Sequence, residues 1–96
     1  MATVDRVEGQ IFSVERFSVI FMQFGRDIRG DREGITGYAG RFAKGAPGRM
    51  TVEGWKQRRF RPLYPGFDAE VLLADGTPAR GNMRLSSVRS SYQSRR

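Results

Sequence analysis

Residues 55–64 (WKQRRFRPLY) decide how this chain is read. Lys56, Arg58, Arg59 and Arg61 are interleaved there with the rings of Trp55, Phe60 and Tyr64. Pro62 and Pro65 interrupt regular structure, so residues 56–66 read as a strand end running into a long loop. Unpaired nucleic acid needs both residue types, because cations follow the phosphates and flat rings stack on exposed bases. Each stacked base contributes about 1–3 kcal/mol, whatever the sequence. The competing reading is a solvated strand edge whose rings belong to the core. Arg41, Lys44 and Arg49 widen the same basic surface if the segment that carries them packs alongside.

Composition narrows the classes of function. Ninety-six residues make one domain. The chain carries 17 Lys and Arg against 10 Asp and Glu, a net charge of +7. Residues 1–40 hold five Arg and six acids, a net −1; residues 41–96 hold twelve basic and four acidic residues, a net +8. The positive field therefore belongs to the second half, and such an excess favours a polyanionic partner. Fifteen of the cations are Arg and two are Lys. Guanidinium clamping of phosphate accounts for that skew, and a GC-rich coding sequence accounts for it as simply. Without Cys, disulfides, zinc ribbons and thiol chemistry are excluded. Without His, Ser-His-Asp triads, His general bases and His metal sites are excluded as well. The longest apolar run, residues 17–24 (FSVIFMQF), is too short to span a bilayer. Asp5 and Glu8 stand where a leader would be basic, then apolar. These features lead us to expect a cytoplasmic protein without membrane, cofactor or small-molecule substrate.

The local patterns read as mainly β. Gly9 interrupts the run 4–14 and reads as a bend in a first strand. Residues 17–24 are apolar on both faces, a second strand that is covered on both sides or lies at a subunit interface. Residues 25–34 form a charged loop and 35–38 a short third strand. Tyr38 and Phe42, four apart and followed by Gly45 and Pro47, place one short helix over 39–44. Residues 49–55 (RMTVEGW) return to strand. Residues 67–74 (FDAEVLLA) alternate most clearly, with Phe67, Ala69, Val71 and Leu73 on one face and Asp68 and Glu70 on the other. Asp75-Gly76 is a turn signal. A three-residue loop, 75–77, pairs Leu73 with Ala79, Ala69 with Met83 and Phe67 with Leu85, and sets Asp68 against Arg84; a one-residue slip would invert every face. Residues 86–96, rich in Ser and Arg, read as a frayed end.

Lys44-Gly45, then Arg49-Met50-Thr51-Val52-Glu53-Gly54, the basic residues 56–61, and Phe67-Asp68-Ala69-Glu70-Val71-Leu72 together resemble the bacterial single-stranded DNA-binding proteins. The likeness is close over residues 44–74, and the primosomal replication protein B group is equally similar. The resemblance implies an OB-fold, a five-stranded Greek-key barrel with one short helix over residues 1–88, here with an added C-terminal hairpin strand and a basic tail at 89–96. It also implies a homodimer or higher oligomer, and a non-catalytic site for single-stranded DNA before RNA. Trp55, Lys56, Arg58, Arg59 and Phe60 occupy the stretch that binds the strand in that family, although Phe60 falls one position short of the usual aromatic. The loop after the second strand is shorter than in the family. The chain ends in Ser94-Arg95-Arg96 where the family has an acidic tail. An accessory role in replication, recombination or plasmid and phage maintenance follows.

Two other functions compete. Glu53, Arg58 and Tyr64 could form a His-free ribonuclease site of the toxin type. The strand over 17–24, with the Arg-rich surface, could instead make a protein-interaction or inhibitor module that docks an acidic partner. Asp27, Asp31 and Glu33 are flanked by Arg26, Arg29 and Arg32, which repel a cation, so they read as a solvated loop and no metal is expected. Residues 34–40 lack the dinucleotide fingerprint, and residues 45–51 lack the Lys of a phosphate loop. Arg29-Gly30-Asp31, the tripeptide of adhesion ligands, reads as a chance occurrence.

Overall fold

A three-stranded sheet with helices packed on it organises the chain in the computed structural model, which describes residues 2–42 and 44–93. In chain order the elements are α1 (Val4–Glu15), β1 (Ser18–Gln23), β2 (Arg26–Asp27), α2 (Val52–Trp55), a π-helical turn (Lys56–Phe60), α3 (Arg61–Leu63), β3 (Asp68–Leu72) and α4 (Leu85–Ser91). The sheet is antiparallel in the order β2-β1-β3. Val19 pairs with Val71 and Phe21 with Ala69, and these four side chains enter the core. The protein is therefore mixed α/β, and the five-stranded barrel expected from the resemblance is overturned. Three antiparallel strands of this order leave nothing to close a barrel.

The first correction is at the N-terminus. Val4, Val7 and Ile11 recur at helical spacing and are fully buried, so the run 4–14 is a helix and not a bent strand. Thr3 caps it, its hydroxyl accepting the Arg6 N–H at 3.3 Å. Asp5 sits in the first turn, where the helix dipole favours an anion. Gly9 produces no bend; open space surrounds the position a side chain would take there. The helix lies beside β1 and completes its ladder. On the β2 side of the strand, the Phe21 N–H donates to Glu8 Oε2 at 2.9 Å, a donor that the two-residue β2 leaves free. Burial pushes the Glu8 carboxyl above its ordinary value, with the Phe21 bond opposing.

The second half departs further. Residues 49–66 are not strand and loop. The Thr51 hydroxyl accepts the Gly54 N–H at 3.1 Å and opens a helical segment that runs through α2, the π-helical turn and α3. Trp55, Phe60 and Tyr64 all point into the core. A spacing of five, from Trp55 to Phe60, would swing the second ring off the buried face of a regular α-helix. The i→i+5 pattern, seen in the Arg61 N–H bonding Lys56 C=O, brings it back. Pro62 fits because it stands in the first turn of α3. Residues 39–42 form turns in place of the expected helix, and residue 43 lies outside the described residues. Of residues 35–38 only Ile35 pairs, in an isolated bridge with Ala2.

The strand read over 67–74 is β3, with Ala69 and Val71 buried. Its loop holds three residues, but they are 74–76. Leu73 N–H bonds Thr77 C=O, and Ala79 N–H bonds Val71 C=O, each at 2.8 Å. The pairing ends there, so the expected hairpin strand does not form. Leu85 begins α4 instead of facing Phe67, and Asp68 bonds Arg61 instead of Arg84. Nor is the Ser/Arg-rich segment frayed over 86–93. Leu85 and Val88 are buried, and the Tyr92 hydroxyl donates to Leu72 C=O while accepting the Ser18 N–H at 3.0 Å. Residues 94–96 of that segment lie outside the described residues.

Gly9 provides a test of α1. Gly9→Ala should raise the unfolding free energy by about 0.5–1 kcal/mol in urea titrations, the difference between these residues in an exposed helix interior. A loss of stability would contradict the helix.

Candidate nucleic-acid interface

The helical segment from Val52 to Leu63 divides the residues of the focal stretch between core and surface. Its rings are spent on packing. Trp55 meets Phe17 edge-on at 5.2 Å between centroids, and its indole N–H donates to the Tyr38 hydroxyl at 3.2 Å. Phe60 packs against Phe21 and Tyr64, each at 4.9 Å. None of the three rings is open to a base, so the stacking expected of Trp55, Phe60 and Tyr64 has no surface on which to occur. The Tyr64 hydroxyl is buried without a hydrogen-bond partner among the described residues, and burial pushes it up to about 12. It is thus sealed away from any substrate, while Glu53 is held below the usual carboxylate range chiefly by its hydrogen bond from Arg61. The proposed trio Glu53, Arg58 and Tyr64 does not share one open site.

The cations separate into two groups. Arg59 and Arg61 are engaged internally. Arg61 donates to Glu53 at 2.7 Å and to Asp68 at 3.3 Å. Arg59 belongs to a cluster around Glu15 that the sequence reading missed. Glu15 is fully buried. Its Oε1 accepts the Ala46 N–H at 2.8 Å and Arg89 Nη2 at 3.0 Å. Its Oε2 accepts the Tyr38 hydroxyl at 2.5 Å and Arg59 Nη1 at 2.8 Å. Two oxygens thus hold four donors, about the full capacity of a carboxylate. Arg89 also donates from Nε to Glu15 C=O at 2.6 Å and from Nη1 to Ala46 C=O at 2.7 Å, and Arg59 reaches Lys44 C=O at 3.0 Å. The Arg59 guanidinium lies 4.1 Å from the centre of the Phe42 ring. Burial, followed by the bond to Glu15, pushes the Tyr38 hydroxyl well above its ordinary value. A carboxylate saturated in this way has no lone pair left for chemistry; it is a structural clamp.

Arg41, Lys44, Arg49, Lys56 and Arg58 form no ion pair among the described residues. Four of them line three different grooves. Arg49 and Arg58 line a groove of about 360 Å³ with Pro47, Met50, Thr51 and Gly54. Lys44 lines another, of about 590 Å³, with Ser13, Arg16 and Arg89. Lys56 lines a third with Phe24 and Phe67. Arg41 is exposed on the turn before residue 43. The backbone of Arg84, an exposed residue, bridges to Thr51. Arg16 and Arg84 carried no motif that could have singled them out. Glu15 could have been found, because it stands four residues after Ile11 on the buried stripe of α1.

No family model matches this chain, and comparison with curated proteins and with solved structures returns no match. The likeness of residues 44–74 to single-stranded DNA-binding proteins does not extend to the fold, since those residues form turns, a helical segment and one strand.

Breaking a buried ion cluster by removing one partner leaves the others uncompensated, at a cost of about 3–5 kcal/mol. Glu15→Gln should therefore lower the unfolding free energy by that amount, because it removes the charge and places an amide against two guanidinium groups. A loss under 1 kcal/mol in denaturant titrations would remove the clamp from the account.

Proposed function

We propose that the protein binds nucleic acid without catalysing a reaction, through phosphate contacts made by cations that have no ion pair among the described residues. The observation that carries this reading is the groove at the start of α2. Arg49 and Arg58 line it, and among the described residues no carboxylate does. Paired cations such as Arg61 are already compensated and offer an anion little. Free guanidinium groups at a groove offer bidentate donors that match phosphate geometry. The net +8 of residues 41–96 supports the same partner. With the rings of the focal stretch in the core, affinity on this surface comes from charge and is sensitive to salt.

Each phosphate contact contributes about 0.7 to the slope of log K against log salt on a single strand and about 0.9 on duplex DNA. Anisotropy titrations of labelled single-stranded DNA, duplex DNA and RNA of equal length, between 50 and 200 mM salt, should show binding that weakens steeply with salt. The double variant Arg49→Ala, Arg58→Ala should bind more weakly, with a slope shallower by about 1–2. Absence of binding to all three at about 50 mM salt would overturn the reading. So would binding that ignores salt.

A further inference from the structure

Phe24 is 94% exposed, by far the most solvent-accessible large apolar side chain among the described residues. Phe12, at 40%, has a neighbour: its ring meets Tyr92 edge-on at 5.8 Å. Phe24 sits at the tip of the β1–β2 hairpin. Gln23 pairs with Arg26, and Phe24 and Gly25 make the two-residue turn. Both have positive φ, 54° and 75°, the mark of a type I′ turn, in which Asn-Gly is the preferred pair. Phenylalanine is a poor occupant there twice over. A bulky residue in the left-handed region is strained, and its ring gains nothing from burial within the chain. The fold therefore gives no reason for this side chain.

The surroundings indicate what the ring meets. Phe24 and Lys56 line the same groove of about 430 Å³, and Lys56 forms no ion pair among the described residues. Arg26, exposed and without an ion pair among the described residues, follows the turn directly. Of the two carboxylates on that groove, Asp68 is engaged by Arg61, leaving Glu70. A bare ring with Lys56 on its groove and Arg26 two residues along the hairpin matches the repeating pattern of a single strand, base then phosphate.

We infer that Phe24 is the stacking residue for an unpaired base, with Lys56 and Arg26 receiving the adjoining phosphates. The inference rests on the nucleic-acid reading above and adds to it single-strand preference. It assigns to the hairpin tip the role that the sequence suggested for Trp55 and Phe60.

Loss of one stacked base corresponds to about a 5- to 150-fold fall in affinity. Phe24→Ala should lower affinity for single-stranded oligo-dT within that range and leave duplex binding within about twofold. Phe24→Asn is the sharper variant. It should raise the melting temperature, because it relieves the turn, and still lose single-strand affinity, which a folding defect cannot mimic. Phe24→Trp should keep affinity and show emission quenched by oligo-dT, whereas buried Trp55 contributes no such response. If the unmodified protein binds and these variants bind single strands equally well, the inference fails and the phosphate reading stands. If the unmodified protein binds no nucleic acid, that reading fails first. A protein whose single-strand binding is intact in Phe24→Ala but which loses attachment to anionic vesicles would assign the ring to a membrane surface and overturn the proposal.

Discussion

One buried carboxylate ties together parts of the chain that nothing else connects as directly. Glu15 ends α1, and its four donors come from the loop at Ala46, the turn at Tyr38, the π-helical turn at Arg59 and α4 at Arg89. Arg59 and Arg89 lie 44 and 74 residues away in sequence. Burying a charge is costly unless it is paired and bonded, so the arrangement is satisfied only when every segment is in place. That requirement selects one packing of the helices over alternatives with a similar apolar area. It also explains why residues 44–46, which have no ladder of their own, are held against the body of the protein.

The clamp and the π-helical turn act on the same stretch. Arg59 must reach Glu15, while Trp55 and Phe60 must enter the core beside Phe17 and Phe21. A regular helix cannot present positions 55, 59 and 60 to one side, and the wider turn can. Arg58 is thereby left exposed, and Arg61 turns toward Glu53 and Asp68. The division of this segment into buried rings and outer cations is thus a consequence of the fold. It leaves the exposed Arg49 and Arg58 at the start of α2 and the exposed ring of Phe24 at the β1–β2 tip.

What could be read from the sequence followed from how local the signal was. Strand β3 was legible, because alternation from Phe67 to Val71 is followed by Asp75-Gly76. Strand β1 was legible from its apolar run. Helix α1 was present in the spacing of Val4, Val7 and Ile11, but β-branched residues and Gly9 favoured the strand reading. The segment over 52–63 was hidden by Gly54 and Pro62, and by a ring spacing that fits a five-residue period and not 3.6. Charge marked the cations of residues 41–61 but not which of them are engaged, since Arg59 and Arg61 carry the same signal as Arg49 and Arg58. Nor was the placement of the rings legible, since alternation with cations looks the same whether they line a groove or a core. Glu15 itself stood on the helical spacing of Val7 and Ile11, but its partners could not be seen because they are far away in sequence.

Native-state hydrogen exchange at the Ala46 amide tests the clamp most directly. This N–H lies in a loop and its acceptor is Glu15 Oε1. If the carboxylate holds the segments together, the amide opens only with the whole protein, and its exchange free energy approaches that of global unfolding. Exchange near the free-chain rate, while the amides of α1 remain protected, would show that the loop opens independently and that Glu15 does not hold the fold together.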